Sequence, residues 1–178
     1  MSSFSFQEFK PTIFFLARFI GLYLIGNLVY GLYVTAYAPA PDFMTNWVTE
    51  QAGAILTAIG WPIETTAHDA KATTLMYYQQ HAILSVYEGC NGLNVMIVFL
   101  SFLFAFGPYT RKLIYFSVGG IVLLHMANLG RIIMLFWVSV YYEKYLYFTH
   151  KYLFTGFLFA LVFVMWIIWI KKFTPKKS

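Results

Sequence analysis

The chain alternates between long apolar runs and short polar connections. Apolar residues dominate from about Pro11 to Tyr37, Cys90 to Phe106, Leu113 to Tyr142 and Tyr152 to Ile170. A bilayer core about 30 Å thick takes roughly 20 residues of helix. The pattern therefore predicts four membrane spans, over 11–37, 90–106, 113–142 and 152–170. The third run is interrupted by Asn128-Leu129-Gly130-Arg131, where the helix is expected either to break or to extend past the interface. The first run is too long for a signal-peptide core, contains Arg18 and ends without a clean small-residue cleavage site, so it is expected to be retained.

The connection over 38–89 is long enough to carry structure of its own. Within it, apolar residues recur at 44, 47, 48, 52, 55, 56 and 59, a helical spacing with one apolar face. Such a helix suits the outer membrane surface, and Gly60-Trp61-Pro62 ends it. Thr73 to Tyr87 is rich in Tyr, Ile, Val and Leu and predicts a small hairpin leading to Cys90. The expected fold is an all-α integral membrane protein. It is a four-span transmembrane helical bundle, one domain over 1–178, with a small outer loop subdomain of amphipathic helix and hairpin.

Composition agrees and narrows the choices. Hydrophobic residues make up 60% of the 178 and charged residues 11%, against about 25% charged in soluble domains. A soluble fold is excluded, and 21% aromatic content excludes a solvated coil. The single cysteine, Cys90, rules out an intramolecular disulfide and any C-x-x-C zinc pattern.

The net charge of +5 first raises the question of nucleic acid. Sorting the charges by loop removes it. Lys10, Arg111, Lys112, Lys171, Lys172, Lys176 and Lys177 fall on one side, which the positive-inside rule makes cytoplasmic together with both termini. Asp42, Glu50, Glu64, Asp69, Glu88 and Glu143 fall on the other. The inner side then carries +6 and the outer side −3, with Arg18 and Arg131 inside the spans. No nucleic-acid partner is required, and the lipid bilayer is the first expected partner.

Polar residues at the membrane edge are costly, so each is a functional candidate. Cys90 begins the second span and His150 precedes the fourth. Arg131 lies 18 residues beyond Leu113, or about 27 Å along a helix. A thiol, an imidazole and a guanidinium thus reach the same level from different spans. A thiol at a helix N-terminus gains thiolate character, and Gly89 and Gly92 beside it leave room for a substrate backbone. A buried apolar cysteine is the plainer reading of Cys90, a snorkelling side chain of Arg131, and a belt residue of His150. Asn128, three residues before Arg131, shares its side of the helix. Glu88 is placed to orient or neutralise His150 or Arg131. His68 reads as solvated, His81 as structural, and His125 as a hydrogen-bonding partner for a neighbouring helix. A metal site from His125, His150 and Cys90 lacks a supporting helical ligand pair, and no cofactor is expected.

Glu88-Gly89-Cys90-Asn91-Gly92-Leu93, Asn128-Leu129-Gly130-Arg131-Ile132 and His150 before the last run resemble the motifs of the exosortase/archaeosortase family. The resemblance covers about Tyr87 to Ile170, and the shortness of the chain is most similar to the exosortase-F type of Bacteroidota. Members more often carry Ser where this chain has Asn91. The resemblance implies a membrane cysteine transpeptidase or protease of the bacterial inner membrane, with its active site on the periplasmic face. Cys90 would be the nucleophile, Arg131 the transition-state stabiliser and His150 the acid/base, supported by Glu88, Asn128 and Gly92. The implied substrates are exported proteins with a C-terminal transmembrane sorting signal, and a small membrane accessory protein is a further expected partner. The substrate's helix would dock between spans near Gly119-Gly120 and Gly156. Two other classes stay open: a non-enzymatic scaffold or chaperone that binds a partner helix, and a small transporter lined by Arg131 and His125.

Overall fold

The first apolar run forms one helix, α1 (Phe6–Tyr37). Leu24, Ile25, Leu28, Val29 and Leu32 stand 60–65% exposed along it, a surface that water would not tolerate and lipid would cover. The computed structural model describes residues 6–68 and 70–173; Asp69, Lys176 and Lys177, which enter the charge reading, lie outside the described residues. Beyond α1 come α2 (Phe43–Ala58), the strands β1 (Ile63–Ala67), β2 (Thr73–Tyr78) and β3 (His81–Tyr87), and α3 (Leu93–Phe106). The chain ends in α4 (Arg111–Tyr141), a single helical turn α5 (Leu146–Phe148) and α6 (Phe154–Phe173).

Among the described residues, three helical stretches are long and apolar enough to cross a bilayer: α1 over Phe9–Tyr37, α4, and the run Glu143–Phe173 that holds α5 and α6. The second apolar run gives a shorter helix. α3 has 14 residues, about 21 Å at 1.5 Å per residue, and packs against α1, α4 and α6. Phe99, Leu103, Leu113, Leu124, Val162 and Trp169 form the core between α3, α4 and α6. Trp169 Nε1 donates to the Gly107 carbonyl at 2.8 Å, fastening α6 to the turn between α3 and α4.

The connection 38–92 folds differently from its simplest expectation. Its strands make a three-stranded antiparallel sheet in the order β1-β2-β3, not a lone hairpin. Gln79 and Gln80 turn β2 into β3 with positive φ of 49° and 67°, the twist a two-residue hairpin turn needs. The amphipathic helix α2 does not spread its apolar face along a membrane surface. Val48, Ala52 and Leu56 are buried against Leu129, Ile132 and Phe136 of α4 and Met76 and Val86 of the sheet. Trp47, Ile55 and Ile59, equally apolar, remain 39–55% exposed. Tertiary packing has selected one half of the greasy face.

Of the two alternatives for the third run, the helix does not break: α4 runs unbroken through Asn128-Leu129-Gly130-Arg131, with Asn128 and Arg131 finding partners on its inward side. Residues 143–153 are helical: a 3₁₀ turn, α5 and a π-turn (Thr149–Leu153) lead directly into α6.

The glycines of α4 are not equivalent. A Cβ on Gly120 would collide with the Phe99 ring, whereas Gly119 faces open space. Gly120→Ala should therefore cost about 1–3 kcal/mol by overpacking, while Gly119→Ala should be neutral or slightly stabilising. Thermal unfolding of the two detergent-solubilised variants tests this, and equal melting temperatures would refute it.

Candidate active site

The chain leaves β3 and must enter α3 within a few residues. It does so through a 3₁₀ turn, Glu88–Cys90, then Asn91, then Gly92 at φ +84° as the N-cap of α3. A left-handed residue here favours glycine. Asn128 also packs on Gly92, its Cγ at 3.2 Å from where a Cβ would stand. Cys90 thus sits just ahead of the helix, two residues before its N-cap.

The turn is held from both sides. Asn128 Nδ2, from α4, donates to the Cys90 carbonyl at 2.8 Å. Tyr30 Oη, from α1, donates to the Glu88 carbonyl at 2.8 Å. With its backbone fixed, the Cys90 side chain is 3% exposed and points at α4 and the π-turn.

Three side chains meet there. Cys90 Sγ lies 3.1 Å from His150 Nε2. Arg131 Nη2 lies 3.4 Å from the same nitrogen and 3.8 Å from the sulfur. A guanidinium has only donors, so its contact with His150 requires a lone pair on Nε2. That lone pair also faces the thiol, as removal of its proton requires. The π-turn supplies the imidazole's placement: Thr155 Oγ1 donates to the His150 carbonyl at 3.2 Å, and the Tyr87 ring packs on the imidazole with centroids 5.8 Å apart. Gly89 makes room for that ring, since a Cβ there would strike it.

Arg131 is 4% exposed, and its contacts are the thiol and imidazole rather than a carboxylate. Its Nε has no hydrogen-bond partner among the described residues. A buried cation so placed stabilises negative charge on or next to the sulfur. Burial pushes the Cys90 thiol up, and the Arg131 guanidinium opposes it to a smaller extent.

The remaining sequence candidates separate cleanly. Glu88 contributes its carbonyl to Tyr30 and to Asn91 N–H; among the described residues its carboxylate makes no hydrogen bond to His150 or Arg131. His125 pairs with Gln51 of α2 at 2.7 Å and stacks on Trp47, so it turns to α2 and not to Cys90. His68 accepts from Ala70 N–H in the β1–β2 loop, and His81 opens β3 opposite Tyr78, at the far end of that strand from Cys90. Gly120 is filled by Phe99, leaving Gly119 and Gly156 with open space beside them. The site also draws on Asn91, which the sequence marks as a departure from the family's usual Ser, and on Tyr30, Asp42 and Tyr87, which sequence reasoning does not place there. Of these three, Asp42 carries a signal in the sequence, the helix-capping pattern Asp42-x-x-Thr45.

A protein-family model described as Transmembrane exosortase (Exosortase_EpsH) matches residues 11–169. The chain belongs to the transmembrane exosortase family. The match takes in α1 through α6 and so includes every residue of the Cys90, Arg131 and His150 cluster. No curated protein and no solved structure matches this exosortase chain.

The electrostatics give a directional test. Alkylation of Cys90 by iodoacetamide should reach half its maximum at a higher pH than for a free cysteine, because burial holds the thiol up. Arg131→Gln removes the opposing cation, so the midpoint should move higher still. A midpoint that falls, or does not move, would show that the guanidinium does not act on the sulfur.

Proposed function

We propose that this chain is a membrane cysteine transpeptidase or protease that cleaves exported proteins at a C-terminal sorting signal. The observation that carries the reading is the meeting of Cys90 Sγ, His150 Nε2 and Arg131 Nη2 within 3.1–3.8 Å. In the first step His150 takes the thiol proton as the sulfur attacks a peptide carbonyl. Negative charge moves to the carbonyl oxygen, where the Arg131 donors and the low dielectric favour it. The tetrahedral intermediate collapses to a thioester, and the leaving amine takes the proton from His150. Water or an amine then attacks the thioester, His150 removes its proton, and the thiol is regenerated. Asn128 and Gly92 hold the Cys90 backbone for this chemistry.

In this reading the chain is multi-pass in a bacterial inner membrane, with both termini cytoplasmic and the cluster at the periplasmic face. α3 makes the fourth crossing, packed between α1, α4 and α6. The sheet and the outward half of α2 form the periplasmic cap. Next to Thr149 opens an apolar cavity of about 470 Å³ lined by Ile133, Trp137, Leu153 and Phe154 among others. Its position beside His150 suits the apolar segment of a sorting signal, and a small membrane accessory protein would contact the exposed helices.

Mass spectrometry of the mature C-terminus of a coexpressed tail-anchored substrate tests the reading. Cys90→Ala, Arg131→Ala and His150→Ala should each leave a folded protein and abolish processing, a loss of at least about a thousandfold. Normal processing by Cys90→Ala would overturn it. A scaffold that binds a partner helix would bring down the substrate without a thioester at Cys90.

A further inference from the structure

Asn91 is completely buried beside the nucleophile, and no step of the chemistry above uses it. Its Oδ1 accepts the Leu93 N–H at 2.9 Å, closing the chain into α3. Its Nδ2 donates to Tyr30 Oη at 3.2 Å and lies 3.5 Å from both Asp42 Oδ1 and Thr45 Oγ1. Tyr30 passes its own proton to the Glu88 carbonyl. Asp42 is 2% exposed and caps α2 through the Thr45 N–H at 3.0 Å, with Thr45 Oγ1 as a second donor. Tyr33 Oη adds a third at 3.2 Å. These donors are all neutral, so the amide of Asn91 is one of the few groups that can approach this carboxylate from the catalytic turn.

We infer that Asn91, Tyr30 and Asp42 are positioning residues, a buried polar network that ties the α1–α2 junction to the turn carrying Cys90 and keeps the thiol within reach of His150. The inference deepens the proposed function and rests on it for the role of His150. The geometry requires an amide at 91. Its oxygen must accept from Leu93 while its nitrogen donates toward Asp42, and a carboxylate can do only the first. Asn91→Asp would set two carboxylates about 3.5 Å apart in a buried site, where both cannot stay ionised. Exchanging the two residues, Asn91→Asp with Asp42→Asn, leaves a single carboxylate across the contact and so removes the like-charge repulsion, with the side-chain oxygen at position 42 still taking the Thr45 N–H. Asn also remains a good N-cap for α2.

The test follows alkylation of Cys90 by iodoacetamide in the full-length protein in lipid nanodiscs, at two pH values. The charged and titratable groups around the thiol are Arg131, His150, Glu88 and Tyr87. Above the raised midpoint of Cys90 itself, located by the pH titration of its alkylation, every molecule is thiolate and the rate reports access alone. At neutral pH it also reports the proton taken by His150, so wild type should exceed His150→Ala. Asn91→Asp should move the two rates in opposite directions. The alkaline rate rises several-fold as the thiol loses cover, and the neutral rate falls about tenfold, toward that of His150→Ala, as one hydrogen bond is lost. The exchanged double variant should recover both in part, since it relieves the charge repulsion but not the lost hydrogen bond. Tyr30→Phe, which removes only the donor to Glu88, should shift both rates the same way by less and guards against misfolding of the first variant.

Wild-type rates at both pH values in Asn91→Asp, or a double variant no better than the single one, would overturn the inference. Equal neutral rates in wild type and His150→Ala would instead overturn the role of His150. The alkaline rates would then decide the network by themselves: a rise in Asn91→Asp that the double variant reverses in part supports it, and no rise overturns it.

Discussion

A guanidinium with 4% exposure and no carboxylate contact among the described residues is the condition that the rest of this structure has to meet. Burying an unpaired cation costs on the order of several kcal/mol, and that cost is offset only if the surrounding groups are fixed and the local field is useful. Here the partners are a thiol and an imidazole lone pair. Both are weak in the resting state, and both become strong if negative charge arises nearby. The fold therefore holds a cation where it favours negative charge on or next to the sulfur.

Packing makes this arrangement tolerable. α2 and the three-stranded sheet lie along the end of α4 that carries Arg131, burying Leu129, Ile132 and Phe136 around it. That contact shields the guanidinium from water and also delivers the end of β3 to the same place. From there the chain has only Glu88 to Gly92 in which to change from strand to helix. A turn this short would wander if its carbonyls were free. Side chains from α1 and α4 each take one of them.

Much of this is legible in the order of residues alone. Uninterrupted apolar runs announce helices, and the cost of Cys90, Arg131 and His150 in apolar surroundings singles them out. The order and spacing of their motifs carry the family resemblance. Partner choice is not legible. The apolar stripe of α2 reads the same whether it meets lipid or another helix, and only the packed structure distinguishes Val48 and Leu56 from Ile55 and Ile59. Asn-Leu-Gly-Arg reads equally as a break or as a continued helix, because sequence alone does not show that Asn128 and Arg131 have partners waiting. Asn91 between Cys90 and Gly92 stands out only as a departure from the family's usual Ser. Its importance depends on Tyr30 and Asp42, which are 61 and 49 residues away along the chain.

The same separations have a consequence for biogenesis. The thiol and guanidinium come from segments 41 residues apart, and the imidazole lies another 19 residues on. During synthesis the thiol and the guanidinium emerge first, and the imidazole arrives only with the π-turn ahead of α6. A chain that stops after α4 lacks His150 and so cannot form the three-way contact. Assembly of the cluster is therefore a late event, completed only when the π-turn has docked beside Cys90 and Arg131.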